Sequence, residues 1–222
     1  MKYGIILGLI SIMAAFHAFR NPFFFIPLIW ISISTMIVSM AYTGCLPRAF
    51  YKRKNGTILT CSKILNLPFL SYTSGTWHIY RILSRENPFD KISDSLTIGR
   101  RLLPKEISER YDCYVDLTAE FDEPKTIREK SSYICLPILD ASTPKIKDFI
   151  NLLKQIENKK IFIHCAQGHG RTGLVALAFI MRKGLVKDPK EGILHLQSLR
   201  PALKLNNNQI NYLEKYKKVI ME

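Results

Sequence analysis

One short segment combines a cysteine, glycines and an arginine at a spacing that suits phosphate chemistry. Residues 161–173 begin as an apolar run that ends in His164-Cys165, and after five intervening residues Arg171 opens a second apolar run. This order predicts a strand, a tight loop and a helix. Glycines in such a loop let successive backbone N–H groups turn inward around an anion, and the N terminus of the following helix also favours negative charge. The segment therefore predicts a phosphate-binding loop in which Cys165, as a thiolate, is the nucleophile.

The other residues of this segment have separate predicted roles. Arg171 is expected to hold two phosphate oxygens with its planar fork of N–H donors. We expect Thr172 to donate its hydroxyl to the cysteine sulfur and His164 to orient the loop through backbone contacts. His169 faces either substrate or solvent. The expected substrate-binding residues are Ala166, Gln167, Gly168, His169, Gly170 and Arg171.

The pattern His164-Cys165-x5-Arg171-Thr172-Gly173 resembles the active-site loop of the cysteine-based protein tyrosine and dual-specificity phosphatases, and the resemblance covers roughly residues 90–220. It implies an α/β fold with a mostly parallel central sheet flanked by helices, a phosphocysteine intermediate, and no metal or organic cofactor. Residues 200–201 and 206–216 resemble the phosphatases of regenerating liver. There is also partial resemblance to the mitochondrial phosphatidylglycerophosphate phosphatase.

Two further roles follow from this resemblance. Residues 136–140 resemble the loop that carries the family's general acid, which implies that Asp140 protonates the leaving oxygen. Asp140 also suits a turn before a helix, with Ser142 or Thr143 as the cap. Gln209, in the closing helix, would position the hydrolytic water, and the alternative is a surface residue on that helix.

The elements that must position these residues can be predicted from periodicity. The predicted strands are residues 95–99, 113–117, 133–138 and 160–165. The predicted helices are residues 104–110, 144–158, 171–183, 189–199 and 207–219. Strands that alternate with helices indicate a mostly parallel sheet covered on both faces.

The N-terminal third of the chain has a different composition. The chain has 222 residues and a formal charge of +14, yet residues 1–83 contain no Asp or Glu. A hydrophobic content of 47% excludes a disordered chain. Residues 3–19 and 23–44 are uncharged apolar runs of membrane-spanning length. We predict a transmembrane helical hairpin over residues 1–45; the alternatives are a cleaved signal peptide for the first run and a buried helical pair of a soluble protein.

The charges that flank the hairpin predict its orientation. Lys2 lies at one base and Arg48, Lys52, Arg53 and Lys54 follow the other, whereas the tip carries only Arg20. By the positive-inside rule, both ends and the catalytic domain, residues 84–222, face the cytoplasm. Residues 46–83 are basic and aromatic and are either interfacial or packed on the catalytic domain.

The remaining composition limits the partners. Five cysteines without paired spacing argue against a disulfide framework, and we expect Cys113 and Cys135 to be buried sheet residues. No metal-ligand spacing and no basic–aromatic strand pattern for nucleic acid are present in the sequence.

Together these patterns predict a two-pass, membrane-anchored phosphoric monoester hydrolase. Its substrate is a phospholipid headgroup or a protein phosphorylated on tyrosine, serine or threonine. The alternative from another class is a membrane-tethered pseudophosphatase that binds phosphorylated partners without turnover.

Overall fold

In the computed structural model, which describes residues 2–44, 46, 48–107, 110–129 and 132–222, the helices and strands fall into two units. Residues 1–53 and 57–83 form the N-terminal unit, and residues 54–56 and 84–222 form the second. The N-terminal unit is helical. Its helices are α1 (Lys2–Arg20), α2 (Phe25–Thr43), α3 (Thr60–Leu65) and α4 (Leu67–Leu83).

Small and hydroxyl-bearing residues let α1 and α2 pack closely. Ser11 Oγ donates to Ser32 O at 2.8 Å, and Ser39 Oγ donates to Gly4 O at 2.7 Å. These hydrogen bonds use hydroxyl groups that would otherwise be buried without a partner. The break predicted between the two helices lies at Asn21 and is followed by a 3₁₀ turn.

Two stretches of this unit, Lys2–Arg20 and Pro22–Thr43, are long and apolar enough to cross a membrane. Large apolar side chains remain exposed along both. On α1 they include Ile5, Ile6, Leu9, Ile12, Met13 and Phe16. Such exposure is unusual for a helix surrounded by water.

Helices α3 and α4 pack against α2 within the N-terminal unit. Trp30 Nε1 donates to Ile64 O at 3.0 Å, and the Phe50 and Phe69 rings stack with centroids 5.8 Å apart. Residues 57–83 are therefore a folded part of this unit rather than a loose linker. The predicted position of residues 46–83 at a membrane interface stays a prediction.

The second unit is built on a five-stranded sheet of order β1-β2-β5-β3-β4. The strands are β1 (Phe89–Lys91), β2 (Leu96–Arg100), β3 (Cys113–Thr118), β4 (Ser132–Ile138) and β5 (Ile161–Cys165). Only the β1–β2 pairing is antiparallel, so the predicted mostly parallel sheet is confirmed. Because parallel strands end at one edge, the ends of β3, β4 and β5 share the edge where α/β proteins place their sites.

Helices cover this sheet and complete its core. They are α5 (Lys125–Arg128), α6 (Ile146–Ile156), α7 (Gly170–Arg182), α8 (Pro189–Leu199) and α9 (Asn207–Met221). Residues 171–181 of α7 are all buried. The predicted helix over residues 104–110 is wrong where the structure describes it: Pro104–Glu106 form a 3₁₀ turn and Ile107 is extended. Glu106 binds the Leu103 N–H and Arg100 instead of continuing a helix. Residues 108 and 109 of this prediction lie outside the described residues. The strand β1 and the helix α5 have three and four residues, too few for a periodic pattern, and the sequence did not predict them.

Candidate active site

Cys165 is the last residue of β5, which lies between β2 and β3 in the sheet. The chain then forms a loop over residues 166–169 and enters α7 at Gly170. The Gly168 N–H donates to Cys165 Sγ at 3.2 Å. This is the predicted strand, loop and helix, with a backbone donor directed at the sulfur, and such donors stabilise a thiolate.

Gly168 is required by the shape of this loop. Its φ is +77°, in the left-handed region that side chains disfavour. A Cβ on Gly168 would also collide with the backbone of Gly99 and Arg100 at the end of β2. Any larger residue would therefore move the loop off the sheet edge.

The Arg171 guanidinium is buried, with only 2% of the side chain exposed, and is held on one side by Glu120. Arg171 Nη2 donates to Glu120 Oε1 at 2.7 Å, and Nη1 donates to Oε2 at 2.9 Å and to Ile138 O at 3.0 Å. Burial by itself lowers the pKa of Arg171, but the charge and hydrogen bonds of Glu120, with smaller contributions from Cys165 and Asp140, raise it well above its ordinary value. The arginine is thus a fixed, permanently charged donor.

Asp140 lies at the entrance of the same site. It follows β4, its side chain is 70% exposed, and its Oδ1 is 3.3 Å from Arg171 Nε. Ala141, next in the chain, has a φ of +56°, and Ser142 N donates to Leu139 O in a tight turn. Asp140 therefore lies in a turn and contacts the arginine, and its role as general acid stays a prediction. The predicted helix cap at Ser142 or Thr143 is wrong: Lys145 is the N-cap of α6, and no side chain among the described residues caps that helix.

The N terminus of α9 closes the site on this side. Asn206 Nδ2 donates to Ala141 O at 2.9 Å, and Gln209 Nε2 donates to Ser142 O at 3.4 Å. Gln209 is buried rather than on the surface, and a Cβ on Gly170 would lie 3.2 Å from its Oε1. The helix thus links the turn that carries Asp140 to the start of α7.

His164 is buried and lies beside a cluster of charged groups. Its Nε2 is 3.8 Å from Glu123 Oε1, and Arg101 Nε is 3.3 Å from Glu123 Oε2. The backbone N–H of Arg101 donates to Ala166 O at 3.3 Å. The cluster therefore supports the loop both through the β5 backbone and through Arg101.

Asp116, Glu123 and His164 place ligand atoms within 4.8 Å of one another, a spacing that could hold a metal ion. The donor set argues for a structural network instead. Asp116 accepts hydrogen bonds from Thr118 N, from Thr118 Oγ1 and, at 2.6 Å, from Tyr133 OH. Burial and the Asp116 charge raise the pKa of Tyr133, so its phenol keeps the proton that it donates.

One predicted role in the loop needs correction. Thr172 Oγ1 is buried and has no hydrogen-bond partner among the described residues, so the expected bond to the sulfur is wrong. The backbone turn at Gly168 supplies the donor instead. His169 Nε2 lies 2.7 Å from Glu86 Oε2, and 19% of the side chain is exposed. Whether the ring also meets substrate stays a prediction.

No local pattern in the sequence pointed to the partners that hold these residues. Glu120 holds Arg171 in a paired contact, Arg101 contacts Glu123, and Arg200 contacts the loop backbone. The only signal for Glu120 was its place at the end of a predicted apolar strand, where a carboxylate must find a buried cation.

Comparison with known proteins agrees with this geometry. The family described as "Dual specificity phosphatase, catalytic domain" matches residues 104–219, more than half of the chain. Protein 197R of Invertebrate iridescent virus 6, whose name assigns it to the tyrosine phosphatases, is 30% identical over 112 residues. That match covers 45% of this chain and 42% of the viral protein, so the chain spans less than half of this relative.

Solved structures share the fold. The active form of Tk-PTP is 23% identical, with a TM-score of 0.53, and the match covers 59% of this chain and 97% of that one. PTPMT1 in complex with PI(5)P is 14% identical with the same TM-score, covering 60% of this chain and 97% of that one. At these identities the likeness concerns the fold.

Proposed function

Because the chain belongs to the dual specificity phosphatase catalytic domain family, we propose that it is a membrane-anchored phosphatase that hydrolyses phosphate monoesters through a phosphocysteine. One observation carries the proposal. The Cys165 sulfur with its backbone donor, the Nε edge of Arg171 and the Asp140 carboxylate meet at one edge of the sheet.

The donors of Arg171 indicate how phosphate binds. A guanidinium has five N–H groups. Three of them bind Glu120 and Ile138 O, and Nε has no hydrogen-bond partner among the described residues. The Nε–H and the second Nη2–H lie on one edge and can hold two phosphate oxygens, while the loop N–H groups hold the rest.

The proposed reaction has two steps. The Cys165 thiolate attacks phosphorus, the S–P bond forms, the P–O ester bond breaks, and Asp140 gives its proton to the leaving oxygen. Asp140, now a carboxylate, then takes a proton from water as that water attacks phosphorus. The S–P bond breaks, which releases inorganic phosphate and restores the thiolate.

Asp140 must move during this cycle. Its carboxylate now lies beside Arg171 Nε, on the edge assigned to phosphate. We propose that a bound phosphate replaces it there and that Asp140 shifts to the leaving oxygen, a movement that its exposed turn permits. Gln209, buried between Ser142 and Gly170, is proposed to position the hydrolytic water.

The N-terminal unit is proposed to anchor the enzyme. Two apolar helices of spanning length, with exposed apolar side chains, favour a hairpin in the bilayer. The basic flanks support an orientation in which both of its ends, and the catalytic domain, face the cytoplasm. A membrane-anchored active site lies near phospholipid headgroups and near membrane-bound phosphoproteins. Both classes are therefore proposed as substrates.

The direct test uses the full chain in detergent or nanodiscs. We expect it to hydrolyse an aryl phosphate, with acid quenching followed by mass spectrometry finding a phosphate on Cys165. Cys165→Ser should abolish turnover, whereas Cys113→Ser, at another buried cysteine, should not. Arg171→Lys should also be severe because a lysine lacks the bidentate edge.

Substrate screening separates the remaining alternatives. Phospholipid vesicles and phosphopeptides, assayed for released phosphate with the same preparation, distinguish the two substrate classes. A protein that binds vanadate through Arg171 but hydrolyses neither these substrates nor an aryl phosphate would contradict the enzyme and favour the pseudophosphatase.

A further inference from the structure

Arg200 is a buried arginine that contacts the phosphate-binding loop from α8. It follows the last residue of that helix, and only 2% of its side chain is exposed. Its Nε donates to Gly168 O at 3.0 Å and its Nη2 donates to Gln167 O at 3.3 Å. Its Nη1 donates to Asp90 Oδ2 at 2.5 Å and to Asn87 O at 3.2 Å.

These contacts follow from the shape of an anion-binding loop. When successive N–H groups turn inward, the carbonyl groups of the same peptides turn outward. An outward carbonyl in a buried place needs a donor, because an unsatisfied buried acceptor costs about 1–3 kcal/mol. The planar fork of Arg200 reaches two such carbonyls at once, which a lysine cannot do.

The charge of Arg200 is balanced away from the reacting groups. Asp90 of β1 accepts from Nη1, and Glu86 Oε2 lies 3.5 Å from Nη2. The same Glu86 oxygen contacts His169 in the loop. Arg200 therefore ties Gln167 and Gly168 to the segment that leads into β1.

We infer that Arg200 is a positioning residue that holds the phosphate-binding loop in its anion-binding conformation from the outside. The inference rests on the proposed function, since it concerns the loop that would bind the substrate phosphate. Arg200 binds the carbonyl groups of Gln167 and Gly168. In each of these peptide groups the N–H points the opposite way, and the Gly168 N–H is the one directed at Cys165. Holding the carbonyl groups therefore keeps the N–H groups aimed at the anion.

A merely structural arginine would behave differently, and the chain supplies one as a control. Arg182, at the end of α7, is a half-buried residue with 8% of its side chain exposed; its Nη1 donates to Ile220 O at 3.2 Å and its Nε lies 3.4 Å from Glu157 Oε1. It makes one carbonyl contact and one carboxylate contact, neither of which involves the loop. Arg182→Gln should therefore lower stability without changing anion binding.

The experiment compares Arg200→Gln, Arg200→Lys and Arg182→Gln in the full chain. Thermal unfolding, vanadate affinity and kcat and KM for an aryl phosphate are measured for each. We expect Arg200→Gln to weaken vanadate binding and lower kcat/KM by about 10- to 100-fold, because small misplacements of oxyanion donors carry losses of this order. Arg200→Lys, which can still reach one carbonyl, should lose less.

Amide hydrogen exchange gives a readout that does not depend on activity. Peptides that cover residues 166–170 should exchange faster in Arg200→Gln than in the wild type without substrate, and Arg182→Gln should leave them unchanged. If Arg200→Gln does not fold, Asp90→Asn tests the same contact, because it weakens the acceptor that holds Arg200 Nη1.

The outcomes are separable. Folded Arg200 variants with wild-type vanadate affinity, kcat/KM and loop exchange would overturn the inference, as would equal effects in Arg182→Gln. A wild-type protein that neither binds vanadate nor hydrolyses aryl phosphates would overturn the proposed function first, and the positioning role with it.

Discussion

The Glu120 carboxylate and the Arg171 guanidinium form a paired contact in which two oxygens meet two terminal nitrogens at 2.7 and 2.9 Å. The pair is buried, with 10% and 2% of the two side chains exposed. Because Glu120 occupies the end of the fork, the Nε edge is the part of Arg171 left for the phosphate that we propose it binds. In that proposal, the Glu120 carboxylate decides which face of the arginine a substrate meets.

Glu120→Gln should damage both stability and activity. Glutamine has nearly the same shape as glutamate but carries no negative charge, and its amide N–H would point at the guanidinium. The buried positive charge of Arg171 would therefore lack its counter-charge. We expect a loss of about 3 kcal/mol in the free energy of unfolding and a fall in kcat/KM of about 100-fold. Denaturant unfolding and aryl phosphate kinetics measure the two effects.

The matched control is Glu106→Gln, which disturbs a similar paired contact with Arg100 that includes no proposed phosphate ligand. It should cost stability but much less activity. Equal kinetic losses in the two variants would show that Glu120 does not act through Arg171.

Asp140→Asn should produce a loss that depends on the leaving group. With an alkyl phosphate the loss should be on the order of 10²–10⁴-fold, because an alkoxide needs the proton. With nitrophenyl phosphate it should be much smaller. Vanadate should bind as well or better, since the variant removes a negative charge 3.3 Å from Arg171 Nε.

Kinetics with both substrates in Asp140→Asn and in Asp148→Asn, an exposed acid in the first turn of α6, check this prediction. Asp148→Asn should match the wild type. Identical losses on the two leaving groups would leave Asp140 as a turn residue and remove it from the acid's role.

Mild peroxide should inactivate the enzyme reversibly at Cys165. The sulfur, which we propose attacks as a nucleophile, lies at the loop that we propose binds the substrate phosphate, and nucleophilic cysteines are the ones that peroxide oxidises first. Burial raises the pKa of the Cys113 thiol, which keeps Cys113 protonated and slow to react. Activity should return with dithiothreitol, and mass spectrometry should find oxidation at Cys165. Oxidation of Cys113 or Cys135 with Cys165 intact would contradict the prediction.

The membrane orientation is tested with tags in sealed vesicles. A tag before Lys2 and a tag after Glu222 should both be on the cytoplasmic side, because the positive flanks lie at both ends of the hairpin. A tag at Asn21, in the break between α1 and α2, should be on the opposite side. Terminal tags on different sides of the membrane would exclude the hairpin.

Local patterns in the sequence were sufficient to predict which residues of the loop could carry out the chemistry. Cys165, the glycines and Arg171 lie within seven consecutive residues, so a strand, a turn and a helix bring them together without help from the rest of the chain. The parallel sheet and the helices α6 to α9 likewise follow from the apolar pattern, because α6, α8 and α9 each bury one face and α7 is a continuous buried apolar run. Asp140 was reached only through resemblance, since 25 residues separate it from Cys165.

Only the tertiary structure decided which groups hold that loop in place. Glu120 lies 51 residues from Arg171, and Asp90 lies 110 residues from Arg200, so no local pattern could pair them. The same holds for the contact of His169 with Glu86 and for the missing bond of Thr172. The amino-acid sequence determined which residues could react, because those of the loop lie close together in the chain. Packing of distant strands and helices determined their donors and acceptors, because a buried charge takes the partner that the fold brings within reach.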